Sequence, residues 1–101
     1  MFRRRYFFLR GGPVVSDEGF TVTIKGRATI IYEDEQGEVF VSGEQMGSGS
    51  DCDWVLHANR MYLDSTLKQK LENEQRRALI VQRVLAAGEF QRIAIDVDPS
   101  S

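Results

Sequence analysis

The sequence has little cysteine, histidine and proline, and it has no long apolar run. Its single cysteine, Cys52, excludes a disulfide within the chain, so a reducing cytoplasm is the expected location. No segment approaches the roughly 20 apolar residues of a membrane-spanning helix. The N-terminal apolar run, Tyr6 to Leu9, is shorter than the about 7–15 residues of a secretory signal. We therefore expect a soluble protein that has no membrane partner.

An excess of charge of one sign is also missing. Thirteen Lys and Arg residues against fifteen Asp and Glu residues give a net charge of -2, which predicts no general attraction to nucleic acid. The composition, 42% hydrophobic and 28% charged, is that of a globular protein. A chain of 101 residues forms one domain. Charge is uneven only locally, because residues 3–10 contain arginines without acids and residues 33–53 contain acids without bases.

Apolar and polar residues alternate in several segments, and this alternation predicts that most of the regular elements are strands. In 20–25, for example, Phe20, Val22 and Ile24 share one face of a half-buried strand. Turn residues at 34–37 and a glycine-rich loop at 43–50 separate later runs that are rich in β-branched and aromatic residues. The predicted strands are 20–25, 27–33, 38–42, 53–59 and 90–97.

One long helix is predicted at 66–87. N-capping residues precede it at 64–66, and Gly88 is suited to the position after its end. At 100° per residue its inner stripe consists of Leu67, Leu71, Ala78, Val81 and Leu85, which leaves Arg76, Arg77 and Arg83 in solvent. Glu74 falls in the same stripe, so it either pairs with a cation or the stripe is partly exposed.

These elements predict an α+β domain, with the helix on one face of a mostly antiparallel sheet and a strand at the C-terminal end. Gly11-Gly12-Pro13 separates an arginine-rich arm, 1–13, from the domain at 14–98, and 99–101 form a tail. The predicted core residues are Trp54, Leu56, Leu67, Leu71, Val81, Leu85, Ile93 and Ile95.

The residue types of catalytic and metal sites are present, but their spacing is unfavourable. Asp51, Asp53 and His57 share one strand face, yet the outer two are about 20 Å apart, too far to bind one ion. Cys52 and His57 are an odd number of residues apart, so on one extended strand their side chains point to opposite faces. The loop Gly47-Ser-Gly-Ser50 lacks the lysine and the helix of a phosphate-binding loop. We expect no catalytic residue, no cofactor and no metal.

The N-terminal arm has two interpretations. Arginines at 3, 4, 5 and 10 with nearby aromatic residues could bind nucleic acid through phosphate contacts and stacking. Alternatively, the arm is a loose tail or an extra strand whose Tyr6 and Phe8 pack on the domain.

The acidic stretch is the stronger candidate for partner binding. Because no Lys or Arg lies among these acids, we expect their carboxylates to form a continuous negative surface. Alternatively, the carboxylates face water and contribute only to solubility. The predicted partner-binding residues are Glu33, Asp34, Glu35, Glu38, Glu44, Asp51 and Asp53, together with Tyr62 as an exposed aromatic.

A strand ending in Val-x-Gly-Glu is followed by a variable loop and a second strand motif. The residues of this pattern are Val41, Gly43, Glu44, Asp53, Val55, Ala58 and Asn59. In this pattern, residues 20–97 resemble the immunity protein 74 family of bacterial polymorphic-toxin systems. Trp54 stands where the family has Phe, His57 where it has Tyr and Arg60-Met61 where it has Ser-Ile, and the acidic-Pro loop that commonly follows is missing.

The resemblance implies a non-catalytic protein that binds a cognate toxin and blocks its active site or substrate groove. Many such toxins are nucleases with basic clefts, which an acidic surface would complement. The alternatives are a small nucleic-acid-associated module that uses the arginine arm, and an uncharacterised enzyme or a phage or bacterial accessory protein. Association of identical chains is left open.

Overall fold

The structure, a computed structural model, describes residues 2–4, 13–47 and 49–99. The predictions for Arg5, Tyr6, Phe8, Arg10 and the end of the tail lie outside these residues. The elements are β1 (Phe2–Arg4), β2 (Val14–Ser16), β3 (Thr21–Lys25), β4 (Thr29–Asp34), β5 (Gly37–Gln45), β6 (Trp54–Tyr62), α1 (Glu74–Gln91) and β7 (Ile95–Asp98).

All seven strands form one sheet in sequence order, which confirms the predicted α+β fold. Strands β1 to β6 pair antiparallel as a meander, whereas β7 pairs parallel to β6 after the chain crosses through α1. Phe2 pairs with Ser16, so the beginning of the N-terminal segment is an additional strand of the sheet. Among the described residues, no helix is long and apolar enough to span a membrane.

The two faces of the sheet differ because side chains alternate along each strand. Val22, Tyr32 and Val39 are direct neighbours across three strands, and each is at most 2% exposed. Helix α1 covers this inner face, where Arg83 lies over the ring of Phe20. The opposite, outer face has no element over it among the described residues.

A bulge in the sheet places Trp54 against Gly43. The register between β5 and β6 shifts between Val41 and Gly43. A Cβ atom on Gly43 would lie 2.9 Å from the carbonyl oxygen of Val55 and 3.2 Å from the Trp54 ring. The absence of a side chain at this position therefore allows the indole to pack closely on the strand.

The predicted start of the helix was wrong by eight residues. Asn73 is the N-cap of α1, and its side chain accepts the backbone N–H of Arg76. Asp64 instead accepts the backbone N–H groups of Lys68 and Gln69 in the preceding loop. Leu67 in that loop has a φ of 60° and is 45% exposed, so its predicted place in the core is also wrong.

The predicted end of the helix was wrong as well. Gly88 lies inside α1, where an added Cβ would be 2.7 Å from Cδ1 of Ile95. Its small size is needed for packing against the segment that leads into β7. Arg92, with a φ of 59°, adopts the left-handed conformation that ends the helix. The predicted strand 90–97 is correspondingly shortened to Ile95–Asp98.

These shifts change the buried face of the helix. The buried positions of α1 are Ile80, Val84, Ala87, Gly88 and Gln91. Ala78 is exposed, Val81 and Leu85 are half-buried, and the Glu74 side chain is 89% exposed. Of the predicted core, Trp54, Leu56, Leu71 and Ile93 are buried, and Ile95 packs against them while half-buried.

Candidate binding surface

An apolar row crosses the centre of the outer face. Ile31 lies opposite Phe40 on β5, and Phe40 lies opposite Tyr62 on β6. All three are half-buried, although no described element covers them. Neighbouring side chains on one sheet face are about 5 Å apart, so the three form a continuous surface. Period-2 alternation places Ile31 and Phe40 on this face, but neither is among the predicted partner-binding residues.

A pair of carboxylates lies beside this row. Glu33 and Glu38 are direct partners on β4 and β5, two residues along from Ile31 and Phe40, and both are exposed. Among the described residues, neither carboxylate forms an ion pair. Glu35 adds a third exposed acid in the adjoining turn. We call Ile31, Phe40, Tyr62, Glu33 and Glu38 the outer patch.

Basic residues lie at other sides of the outer patch. Lys25 is opposite Thr29, which is four residues from Glu33 and therefore about 13 Å from it along β4. Lys70 forms an isolated bridge with Tyr62, beyond the end of the apolar row. The acids of the outer patch therefore lie at the β4–β5 turn, whereas Lys25 of β3 lies beside the opposite end of β4.

Asp34, although adjacent to Glu33 in sequence, faces the helix. Its side chain is 9% exposed and accepts Nη2 of Arg76 at 3.0 Å and the hydroxyl of Tyr32 at 2.8 Å. Burial by itself would raise the pKa of Asp34, but the hydrogen bonds from Tyr32 and Gln36 and the Arg76 charge outweigh it and lower the pKa. Asp34 therefore fastens α1 to the sheet and is not part of the outer patch.

Arg83 extends this inner network and is not in solvent as predicted. Its Nη1 atom donates to the Tyr32 hydroxyl at 2.6 Å, and its guanidinium lies 4.6 Å from the Phe20 ring centroid. Burial raises the pKa of Tyr32; the hydrogen bond from Arg83 opposes this shift, and the bond to Asp34 adds to it. Tyr32 is consequently a neutral phenol between a cation and a carboxylate.

The other predicted partner-binding acids lie away from the outer patch. Glu44 is exposed opposite Val55 and is six residues from Glu38, or about 20 Å along β5. Asp51 is exposed in the loop before β6. Asp53 accepts the backbone N–H of Ala94 at 2.8 Å and has a structural role at the beginning of β6. The predicted residues that lie together are Glu33, Glu35, Glu38 and Tyr62.

The residues considered for chemistry do not form one site. Within 2–4, 13–47 and 49–99, no group of three His, Cys, Asp or Glu side chains could hold a metal ion. His57 and Asp98 are cross-strand partners whose nearest nitrogen and oxygen are 3.8 Å apart. Cys52 is half-buried in the segment before β6.

Comparisons with protein-family models, with curated proteins and with solved structures find no match for this chain. The resemblance to the immunity protein 74 family stays a hypothesis. The structure gives physical roles to its residues: Gly43 accommodates the Trp54 ring, and the Asn59 amide donates to the carbonyl of Pro99 at 2.9 Å. Together with the Asp53 contact to Ala94, these are contacts that hold β6 in the sheet.

Proposed function

We propose that the protein is a non-catalytic, immunity-type binding protein that neutralises a bacterial toxin domain in the cytoplasm. The binding surface is the outer patch. The observation that carries this proposal is the carboxylate pair Glu33 and Glu38, which has no ion-pair partner among the described residues. It lies beside the apolar row of Ile31, Phe40 and Tyr62.

The composition of the outer patch is that of a protein interface. Aromatic side chains supply most of the contact energy at the centre of interfaces, while charged groups at the rim select the partner. Phe40 and Tyr62 are adjacent on the outer face, and Glu33 and Glu38 lie on one side of them. A partner that presents an apolar surface with basic groups beside it would match both the apolar row and the carboxylates of the outer patch.

The acids of the outer patch also favour a particular partner charge. Like charges directly opposite each other on a sheet are destabilising. A basic surface would remove this repulsion on binding and would be attracted over a distance comparable with the screening length. A toxin nuclease with a basic cleft is the partner class that fits, because carboxylates can then occupy positions of substrate phosphates.

Co-expression tests this proposal. The probe is the C-terminal domain of a large toxin encoded immediately upstream of this chain's gene, expressed in cells with or without the protein. We expect the wild type to restore growth and the Phe40→Ser and Glu38→Lys variants to lose protection. Glu89→Lys is the matched control, because Glu89 is exposed on the helix and carries the same charge change. Absence of rescue by the wild type, or full rescue by Glu38→Lys and Phe40→Ser, contradicts the proposal.

A further inference from the structure

A cavity of about 780 Å³ lies on the helix side of the sheet, where β1, the β2–β3 turn and α1 meet. Its apolar wall includes Phe2, Phe20 and Leu79, and Arg83 and Glu18 are among its polar residues. Pockets that bind small molecules have volumes of about 300–1,000 Å³ and are lined mainly by apolar groups with a few polar ones. The volume of this cavity lies in that range, and four of the eight described residues that line it are apolar. It is on the opposite side of the sheet from the outer patch.

The aromatic wall is held in place by ring contacts. The ring of Phe2 lies edge-on to Phe20, with centroids 5.6 Å apart, and 5.7 Å from the ring of Phe90 at the end of α1. Phe20 in turn stacks on Tyr32 at 5.7 Å. The wall therefore joins the first strand, the sheet and the helix, and a ligand against it would contact all three.

Arg83 forms no ion pair with an acid among the described residues. A guanidinium has five N–H donors. Among the described residues, Arg83 has one hydrogen-bond acceptor, the neutral hydroxyl of Tyr32, and its buried Nε has no partner. The carboxylate of this network, Asp34, forms its ion pair with Arg76. A partly buried charge that lacks a counter-ion is unfavourable, so this position favours an added anion.

The chain's own acid at the cavity does not supply that anion. Glu18 lines the cavity but is exposed, and within the described residues it forms no ion pair with Arg83. The backbone N–H of Glu18 donates to Oγ of Ser16 at 3.0 Å. This hydrogen bond holds the backbone of the turn but does not involve the Glu18 carboxylate.

We propose that this cavity binds a small organic acid: a carboxylate on an aromatic or branched apolar body. The carboxylate pairs with the Arg83 guanidinium, and the apolar body lies against Phe2, Phe20 and Leu79. A carboxylate matches the planar fork of the guanidinium, and the remaining wall offers stacking and apolar contact.

A matched pair of probes tests the charge requirement. 1-Naphthylacetate and its neutral analogue 1-naphthylacetamide are titrated into the full-length protein by calorimetry and by NMR. We expect the acid to bind at least about tenfold more tightly, since a charge-assisted hydrogen bond contributes more than a neutral one. The NMR chemical-shift changes caused by the acid should be largest at Phe2, Phe20 and Arg83, and the signals of Phe40 should not change. Equal affinity for the two probes, or no binding of the acid at millimolar concentration, overturns the proposal.

A substitution of Leu79 tests the position without removing Arg83. Leu79 is 40% exposed and precedes Arg83 by four residues, so a glutamate there lies on the same helix face and can pair with the guanidinium. Leu79→Glu should keep the fold and weaken binding of the acid at least about tenfold. Ala78→Glu adds the same charge at an exposed neighbour and should change the affinity less than about twofold. Unchanged binding by Leu79→Glu, or equal loss in both variants, contradicts a site at Arg83.

Discussion

Glu33 and Glu38 lie directly opposite each other on β4 and β5, and both side chains are exposed. Opposite charges at such a position would stabilise the sheet, whereas this pair repels. The neighbouring residue Asp34 shows the contrast, because it turns to the other face and pairs with Arg76. Adjacent carboxylates thus have different surroundings, because Asp34 holds the helix whereas Glu33 and Glu38 are exposed on the outer face.

Removing one charge of the pair should stabilise the protein. Glu38→Gln keeps the size of the side chain and abolishes the repulsion, so the free energy of unfolding should rise by about 0.2–1 kcal/mol. Urea denaturation at low salt measures this change, and the gain should shrink at high salt. Glu44→Gln is the control, since Glu44 faces Val55 and not a second acid. A loss of stability in Glu38→Gln, or an equal gain in Glu44→Gln, contradicts the repulsive pair.

Asp34 should make stability depend on acid pH. Because the pKa of Asp34 is lowered in the folded protein, its contribution is present above the unfolded pKa of about 3.9 and is lost as the pH falls through the folded pKa. Asp34→Asn leaves Arg76 without its anion and should lower the free energy of unfolding at neutral pH by about 1–3 kcal/mol.

Urea denaturation at a series of pH values checks this prediction. The difference between the wild type and Asp34→Asn should narrow as the pH falls below about 4. Glu35→Gln, an exposed change in the same turn, should stay within about 0.5 kcal/mol of the wild type. A constant difference over the whole pH range would show that lost packing, and not the charge of Asp34, causes the effect.

Gly88 should resist replacement although alanine is the better helix former. A Cβ there meets Cδ1 of Ile95 at 2.7 Å and the carbonyl oxygen of Ile93 at 3.0 Å, so Gly88→Ala should lower the free energy of unfolding by about 1–3 kcal/mol. Ile95→Val removes the nearest methyl group. The double variant should therefore be less destabilised than the sum of the single variants. Thermal or urea unfolding of all four proteins gives the coupling, and simple additivity contradicts the contact.

The beginning of the helix can be tested at its cap. Asn73→Ala removes the side-chain acceptor of the Arg76 N–H and should destabilise the protein by about 1 kcal/mol. Ser65→Ala changes an exposed residue at the helix start that the sequence predicts, and it should have an effect below about 0.5 kcal/mol. The reverse order of the two effects would place the cap in the earlier segment.

The strands were largely predictable because their apolar alternation continues over several residues. Val22 and Ile24 indicate the buried face of β3 directly, and their direct partners on β4 confirm it. The helix was less predictable, since capping residues are also suited to loops. Asp64 is a residue type that often forms an N-cap. Its carboxylate instead accepts hydrogen bonds from backbone N–H groups of an irregular segment. The predicted stripe included Leu67 and Leu71, which precede α1, so it did not coincide with the buried face and Ile80 was not predicted to be buried.

The tertiary charge pairs could not be read from the sequence. Arg76 follows Asp34 by 42 residues, and nothing in either local pattern distinguishes it from Arg77, whose guanidinium bonds to the carbonyl of Leu71. The outer patch was partly predictable: the acids stood out by charge, whereas Ile31 and Phe40 looked like ordinary strand residues. Their importance follows only from the register that places them beside Tyr62.

The most direct test of the proposed function is an association rate measured over a range of salt concentrations. The binding partner is the C-terminal domain of a toxin encoded immediately upstream, which the proposal requires. We expect the wild type to associate fast, with a rate that falls steeply as salt is added. The Glu33→Gln/Glu38→Gln double variant should associate more slowly and with a weaker salt dependence, while its stability is undiminished. Glu89→Lys should retain the fast association. A double variant that associates as fast as the wild type, with the same salt dependence, would contradict binding through the outer patch.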